Sequence, residues 1–191
     1  MAHISIIGNG NMGQAIASIA GKGGHGVDLF DSSDADKQVT GDIVVLAVPY
    51  PAVQAVLAAH GESLAGKIVV DITNPLDFET FDSLTVAPDR SATAEIAAAL
   101  PQSRVVKAFN TTFAGTLAAG TVGSLPTTVL IAGDDVDAKE TLVGVVTSGG
   151  LRAIDVGSLK RARELEALGF LQITLAAGEK IPWTGGFAVV S

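Results

Sequence analysis

The chain has 191 residues, of which 48% are hydrophobic and 17% charged, with 22 glycines and a net charge of -8. That is enough apolar sequence for a core of useful size and the opposite of the balance that leaves a chain disordered. The acidic charge argues against nucleic acid as a partner, because phosphate contacts need Lys and Arg and the only basic cluster is Lys160, Arg161 and Arg163.

Along the chain, apolar runs alternate with Ala-rich helical stretches, the pattern of an α/β fold whose parallel sheet is covered on both faces. Strands are expected at His3–Ile7, Val27–Phe30, Asp42–Val48, Lys67–Ile72, Arg104–Phe109, Thr127–Ala132 and Leu151–Asp155. Helices are expected at Asn11–Ala20, Pro51–Ala59, Ser91–Leu100, Asp135–Thr147 and Ser158–Ala177. Pro51 suits a first helical turn, Ser91 an N-cap, and Pro101 stops the helix after Leu100. No linker or repeat interrupts the pattern, so residues 1–191 read as one domain, with a C-terminal helix and tail over 158–191. The most apolar run, Ile43 to Ala59, contains Pro49, Pro51 and Gln54 and reads as a buried strand leading into a helix, not as a membrane span. The N-terminus has no basic, apolar leader, and there is no cysteine. Both fit a cytoplasmic protein, and the second removes disulfides, thiolate metal sites and Cys nucleophiles.

One connection is unusually short. Only the eleven residues from Asp31 to Gly41 separate the strand ending at Phe30 from the strand beginning at Asp42. They can reach about 36–40 Å when extended. Returning along a strand of about 20 Å while stepping two strand spacings of about 4.8 Å needs roughly 22 Å. The chain can therefore pass straight over the first strand, which makes Val27–Phe30 an edge strand and omits the outer strand that usually follows it.

The strongest chemical signal is Gly8-Asn9-Gly10-Asn11-Met12-Gly13. A lone GxGxxG is weak, but this one follows an apolar strand and opens a helix, the Rossmann context. Gly8 permits the turn, Gly10 lets the backbone approach a pyrophosphate, and Gly13 lets helix pack on strand. The free N–H groups of the helix N-terminus then face the phosphates. Asp31, 18 residues past Gly13, ends the second strand and is placed to bond the adenosine ribose hydroxyls, which leans to NAD. Ser32 and Ser33 could bond a 2′-phosphate, and Lys37 is the only nearby cation. Alternatively, Asp31 and Ser32 only form a turn.

Taken together, several stretches resemble one family: the NADP oxidoreductases dependent on the deazaflavin coenzyme F420, and small dinucleotide-binding oxidoreductases related to them. The stretches are Ile6-Ile7-Gly8-Asn9-Gly10-Asn11-Met12-Gly13, Val45-Leu46-Ala47-Val48-Pro49, Val69-Val70-Asp71-Ile72-Thr73-Asn74-Pro75, Val106-Lys107-Ala108-Phe109-Asn110-Thr111 and Arg161-Ala162-Arg163-Glu164-Leu165-Glu166. The resemblance implies that Ala47-Val48-Pro49-Tyr50 lines the ribose side of NADP or NAD. It places Thr73-Asn74-Pro75 near the nicotinamide, and Ala108-Phe109-Asn110-Thr111 on the far wall, where the redox partner approaches. Two departures stand out. The family follows its second strand with Gly-Ser and an Arg for the 2′-phosphate, where this chain has Asp31 and Ser33. Deazaflavin reductases often carry His where Asn110 falls.

Hydride transfer requires stacked reactants about 3.5 Å apart. A flavin-like acceptor needs no strong protein acid, whereas a carbonyl or imine substrate does. The polar candidates are Tyr50, Asn74, Lys107, Asn110, Thr111 and Thr112, with Asn110 and Asn74 as the catalytic candidates. Asn74 either orients the carboxamide or caps the turn before Pro75. Asn110 reads as a pocket wall, Lys107 as an exposed or paired strand residue, and Tyr50 as a ring packing on Pro49 and Pro51. On the last helix, Arg161–Glu164 and Arg163–Glu166 read as surface pairs, with Arg163 alternatively facing a second-substrate pocket or a dimer contact. Leu159, Ala162, Leu165, Leu168, Leu171, Ile173 and Leu175 read as a packed seam, pointing to a homodimer. Trp183 either lines the substrate site or ties down the tail. His3, His25 and His60 show no metal spacing. The reading is an NAD(P)-dependent oxidoreductase with a small-molecule acceptor. The alternatives are a non-catalytic redox sensor and a ferric reductase-like role.

Overall fold

The structure, a computed structural model, describes residues 1–34 and 37–190. Its sheet is built from β1 (His3–Ile7), β2 (Gly26–Phe30), β3 (Ile43–Leu46), β4 (Ile68–Asp71) and β5 (Arg104–Lys107), joined by β8 (Thr128–Gly133) and β9 (Arg152–Gly157). A small hairpin, β6 (Thr121–Val122) and β7 (Leu125–Pro126), precedes β8. The helices are α1 (Asn11–Lys22), α2 (Val53–His60), α3 (Ala92–Ala99), α4 (Ala114–Ala119), α5 (Val136–Ser148) and α6 (Ala162–Ala177).

The seven sheet strands run in the order β2-β1-β3-β4-β5-β8-β9. Among the described residues no strand lies outside β2, so it is the edge strand the short connection requires; Ala35 and Asp36 of that connection lie outside the described residues. The strands are Val- and Ile-rich because both faces are covered, and alternate residues enter different cores. Ile4, Ile6, Ile43, Val45, Val70 and Val106 pack with α1 and α5. Ile7, Val44, Leu46, Val69 and Val105 pack with α2 and α3.

Three expectations need correction. The sheet is not parallel throughout: β5 and β8 pair antiparallel, Lys107 opposite Ala132, while β8 and β9 are parallel to each other. After β5 the chain makes only the six-residue α4 and the hairpin, so it re-enters the sheet from the end at which β5 finished, without the crossover a parallel strand needs. The expected strand Arg104–Phe109 ends at Lys107, because Phe109 turns into a left-handed conformation (φ 62°). Finally, the buried stripe of α6 is Ala162, Leu165, Glu166, Gly169, Gln172 and Ala176, while Leu171 is exposed.

The first helix is seated by a glycine. A Cβ on Gly13 would lie 1.9 Å from the Gly8 carbonyl oxygen, so α1 sits on its turn at a distance no side chain allows. Gly13→Ala is expected to lower stability by roughly 1–3 kcal/mol, the usual range for forced overpacking. An unchanged urea midpoint would show that α1 does not depend on that approach.

Candidate active site

The Gly8–Gly13 turn divides its labour as its spacing suggests. Gly8 holds φ 113°, and a Cβ there would strike the Ala47 carbonyl, so the turn is wedged against the end of β3. Gly10 is the N-cap of α1, contributes no side-chain cap, and has nothing within 4 Å of where its Cβ would stand. The helix therefore begins with uncapped N–H groups facing open space, the local condition for an anion. At the rim, Asp31 Oδ1 accepts from Ser33 N (2.8 Å) and Ser33 Oγ (2.6 Å), while Asn9 Nδ2 lies 3.4 Å from Oδ2. The turn alternative is thus realised for one carboxylate oxygen; the other faces Asn9 of the glycine turn. Lys37 pairs with Asp34 at 2.7 Å, and that contact holds the Asp34 carboxyl below its ordinary pKa.

From this loop a cleft crosses the C-terminal ends of β1, β3, β4 and β5. Its first half, about 300 Å³, is lined by Gly10, Ala47, Val48, Pro49, Tyr50 and Thr73. The second half, about 450 Å³, is lined by Asn110, Thr112, Phe113, Ala114, Gly115, Trp183 and Thr184. Asn11, Met12, Ile72, Asn74, Phe78 and Ile173 belong to both, so the halves are continuous. The second half is mostly apolar and has no ionisable side chain in its lining.

Asn74 and Asn110 bond each other across this cleft. Asn110 Nδ2 donates to Asn74 Oδ1 (2.9 Å) and Asn74 Nδ2 donates to the Asn110 carbonyl (2.9 Å). Asn110 Nδ2 also donates to the Leu165 carbonyl (2.8 Å). Helix α6 comes this close because Gly169 faces the pair; a Cβ there would lie 2.3 Å from Asn74 Oδ1. Two buried side-chain atoms among the described residues have no hydrogen-bond partner, Thr73 Oγ1 and Asn110 Oδ1. Such orphans cost about 1–3 kcal/mol each unless something else bonds them.

Beneath the cleft lies a buried ion cluster. Lys107 is fully buried, and its ammonium donates to Asp71 Oδ2 (2.9 Å), Glu166 Oε1 (3.0 Å) and the Thr73 carbonyl (2.6 Å). Asp71 Oδ1 accepts from Thr73 N (2.8 Å). Thr93 Oγ1 donates to Asp71 (2.7 Å), and Glu166 accepts from Ala92 N (2.9 Å) and Thr93 N (3.2 Å) at the start of α3. Lys107 is therefore the paired residue of the two alternatives. Glu166 faces inward to it, so no Arg163–Glu166 surface pair exists, whereas Arg161 and Glu164 do approach at 3.6 Å on the surface.

The remaining candidates sort cleanly. Tyr50 lines the first half and donates its hydroxyl to Glu95; burial, and then that carboxylate, push its pKa well above the usual phenol range, so it stays protonated. Thr112 lines the second half with its hydroxyl committed to the Phe109 carbonyl, and Thr111 supplies a carbonyl to Gln172. Phe109 and Pro75 are buried behind the cleft and line neither half. Arg163 faces a separate cavity beside Arg90, Ser91 and Lys160. Trp183 packs on Phe113 at 4.9 Å, and buried Gln172 anchors the tail by accepting from Phe187 N (2.9 Å), so Trp183 both lines the site and ties down the tail. Sequence reasoning missed Phe78, Phe113 and Ile173 in the lining and Asp71 and Glu166 in the cluster. Asp71 and Lys107 were detectable: each ends a Val-Val strand, and they pair in register. Among the described residues no group of side chains could hold a metal ion, and no helix is long and apolar enough to cross a membrane.

Residues 3–75 match the family model described as NADP oxidoreductase, coenzyme F420-dependent. The chain is 32% identical to the F420-dependent NADP reductase of Methanocaldococcus jannaschii over 162 residues, covering 83% of this chain and 72% of that one. It is 40% identical to rat metalloreductase STEAP3 over 113 residues, which is 59% of this chain but 22% of the rat protein. The crystal structure of a candidate F420-dependent NADP-reductase from Arthrobacter sp. FB24 superposes over the full length of both chains with a TM-score of 0.86 at 26% identity.

Removing the ammonium leaves two carboxylates buried together. Lys107→Met is expected to destabilise the chain by roughly 3–5 kcal/mol, the cost of breaking a buried pair. Equilibrium unfolding in urea reads this directly, and Glu166→Gln in the same background should restore part of the loss.

Proposed function

The chain belongs to the family of coenzyme F420-dependent NADP oxidoreductases and is an NAD(P)-dependent oxidoreductase; on that premise we propose that it moves a hydride between NADP(H) and a flat flavin- or deazaflavin-like acceptor. The observation that carries this reading is the second half of the cleft. It adjoins the phosphate-loop half, is walled by Phe78, Phe113 and Trp183, and presents no ionisable side chain. A carbonyl or imine substrate would need a proton donor there. A conjugated ring system that takes the hydride into its own π-system needs an apolar slot, and these residues supply apolar walls for it.

The residues of the first half fit a nicotinamide dinucleotide. Gly10, Asn11 and Met12 at the start of α1 would hold the pyrophosphate, with Gly8, Asn9 and Gly13 shaping the turn. Asp31, Ser32 and Ser33 would meet the adenosine ribose, and Ala47, Val48, Pro49 and Tyr50 would line the ribose side. Thr73, Asn74 and Asn110 stand where the two halves join, with Pro75 and Phe109 supporting them from behind. A bound nicotinamide supplies the hydride; the protein's part is to position it and to keep the slot dry.

The family supports NADP as the nucleotide. Asp31 is what blurs the choice, because its Oδ2 is not committed to the turn and would repel a 2′-phosphate. Asp31→Asn is expected to shift the preference toward NADPH over NADH by about tenfold, near 1.4 kcal/mol. Comparing kcat/KM for the two nucleotides checks this, and an unchanged ratio would remove Asp31 from specificity.

The reaction itself is tested by following the visible absorbance of oxidised deazaflavin coenzyme with NADPH, and separately with NADH. Bleaching with either supports the reading. Turnover of FMN or FAD but not the deazaflavin would move the acceptor to the flavins. Nucleotide binding without turnover of any of these would overturn the proposed reaction.

A further inference from the structure

The basic residues of this acidic chain are unevenly spread. Four of its 12 Lys and Arg residues, Arg90, Lys160, Arg161 and Arg163, line one cavity between the start of α3 and the start of α6. At about 540 Å³ it is larger than either half of the cleft, and it shares no lining residue with them. Arg161 is taken by Glu164 at 3.6 Å, and Asp134 Oδ1 accepts from Leu159 N (2.9 Å). Among the described residues Arg90, Lys160 and Arg163 make no side-chain hydrogen bond or ion pair, although Asp89 and Asp134 stand in the same cavity. Counting Asp89, Asp134 and Glu164, the lining is still positive by one charge, in a chain whose net charge is -8.

A buried contact gathers these cations. Glu166 accepts from Ala92 N (2.9 Å) and Thr93 N (3.2 Å), which pins α6 to the first residues of α3. Arg163 stands three residues before Glu166 and Arg90 two residues before Ala92, so the lock brings guanidinium-bearing residues of two separate segments to one cavity. Like charges held together repel unless an anion lies between them. The same cavity holds a donor on a buried residue. Ser91 is 4% exposed, and its Oγ accepts from Ala94 N (3.1 Å) as the cap of α3. The hydroxyl hydrogen has no acceptor among the described residues, so it is left to donate. The helix start itself adds no free N–H here, because those of Ala92, Thr93 and Ala94 are all taken. Side chains make this site, and all its unengaged hydrogen-bonding groups except Asp89 and one oxygen of Asp134 are donors.

We propose that this cavity is a second binding site, separate from the cleft, for an oxyanion group of a small molecule, either phosphoryl or carboxylate. Both groups present paired oxygens that match the fork of a guanidinium, whereas an ammonium supplies a point charge. Arg90 and Arg163 grip the anion, Lys160 adds charge beside them, and Ser91 donates its hydroxyl. An anion seated there neutralises the repulsion that the Glu166 lock imposes. The site stands on this cavity alone and does not depend on which nucleotide or acceptor occupies the cleft.

The test is titration of the isotopically labelled full chain with inorganic phosphate, pyrophosphate and citrate, followed by amide NMR shifts at an ionic strength held constant with sodium chloride. Saturable shifts are expected at the amides of Ser91, Lys160 and Arg163. Saturation by phosphate or pyrophosphate alone assigns a phosphoryl ligand, and saturation by citrate alone a carboxylate one. Arg90→Gln and Arg163→Gln should each raise the dissociation constant read at Ser91 about tenfold, as for a lost charge-assisted hydrogen bond. Both side chains are exposed and unpaired, so neither substitution should lower the melting temperature. Lys180→Gln, which removes an exposed charge outside this cavity, should leave the constant unchanged. Anion binding at the glycine turn is read separately, at the Gly10 and Asn11 amides, so the two sites are judged independently. Shifts that drift without saturating for all three anions would overturn the site. So would saturation that Arg90→Gln and Arg163→Gln leave unchanged, or that Lys180→Gln weakens as much as they do.

Discussion

An ammonium with no access to water must find three acceptors, and the three that Lys107 finds belong to different parts of the chain. Asp71 closes β4, the Thr73 carbonyl lies in the loop beyond it, and Glu166 reaches in from α6. Glu166 in turn receives the first N–H groups of α3, a helix otherwise capped only by Ser91. The last helix, the third helix and the centre of the sheet are therefore locked at one point. Geometry at that point is strict, because each oxygen that loses a proton partner would remain a buried unpaired group.

The cleft inherits its shape from this lock. With α6 held down at Glu166, Gly169 presses on the Asn74–Asn110 pair and Gln172 reaches the Thr111 carbonyl and the Phe187 amide. The tail then lays Trp183 on Phe113. One half of the cleft is made of backbone at a helix start and strand ends, suited to phosphates and ribose. The other is made of aromatic and aliphatic side chains contributed by α4, α6 and the tail, suited to a flat apolar ring system. The two halves, of opposite chemistry, meet over a rigid amide pair.

Much of this was legible locally. The glycine turn was readable because each glycine answers a steric need of its immediate neighbours, and the edge position of β2 because eleven residues limit where a chain can go. That Asn110 and Asn74 line the cleft was readable because strand ends face the crevice of an open α/β sheet. The antiparallel β8 was not, since strand direction depends on which side of the sheet a short connection leaves the chain. Glu166 was misread for a similar reason: its spacing from Arg163 fits a surface pair as well as any, and only the packing of α6 turns it inward.

The sequence by itself determined the α/β class, the Gly8–Gly13 turn at the start of the first helix and the order of the strands' chemistry, because these rest on periodicity and on contacts between residues close in the chain. The tertiary structure alone decided that Lys107, Asp71 and Glu166 share one buried site, that Thr73 and Asn110 are left with unmet hydrogen bonds, and that Phe78, Phe113 and Trp183 wall one slot. These residues lie tens of positions apart, and what each does is set by the desolvation and directional bonding imposed when the helices close over the sheet, which local pattern does not encode.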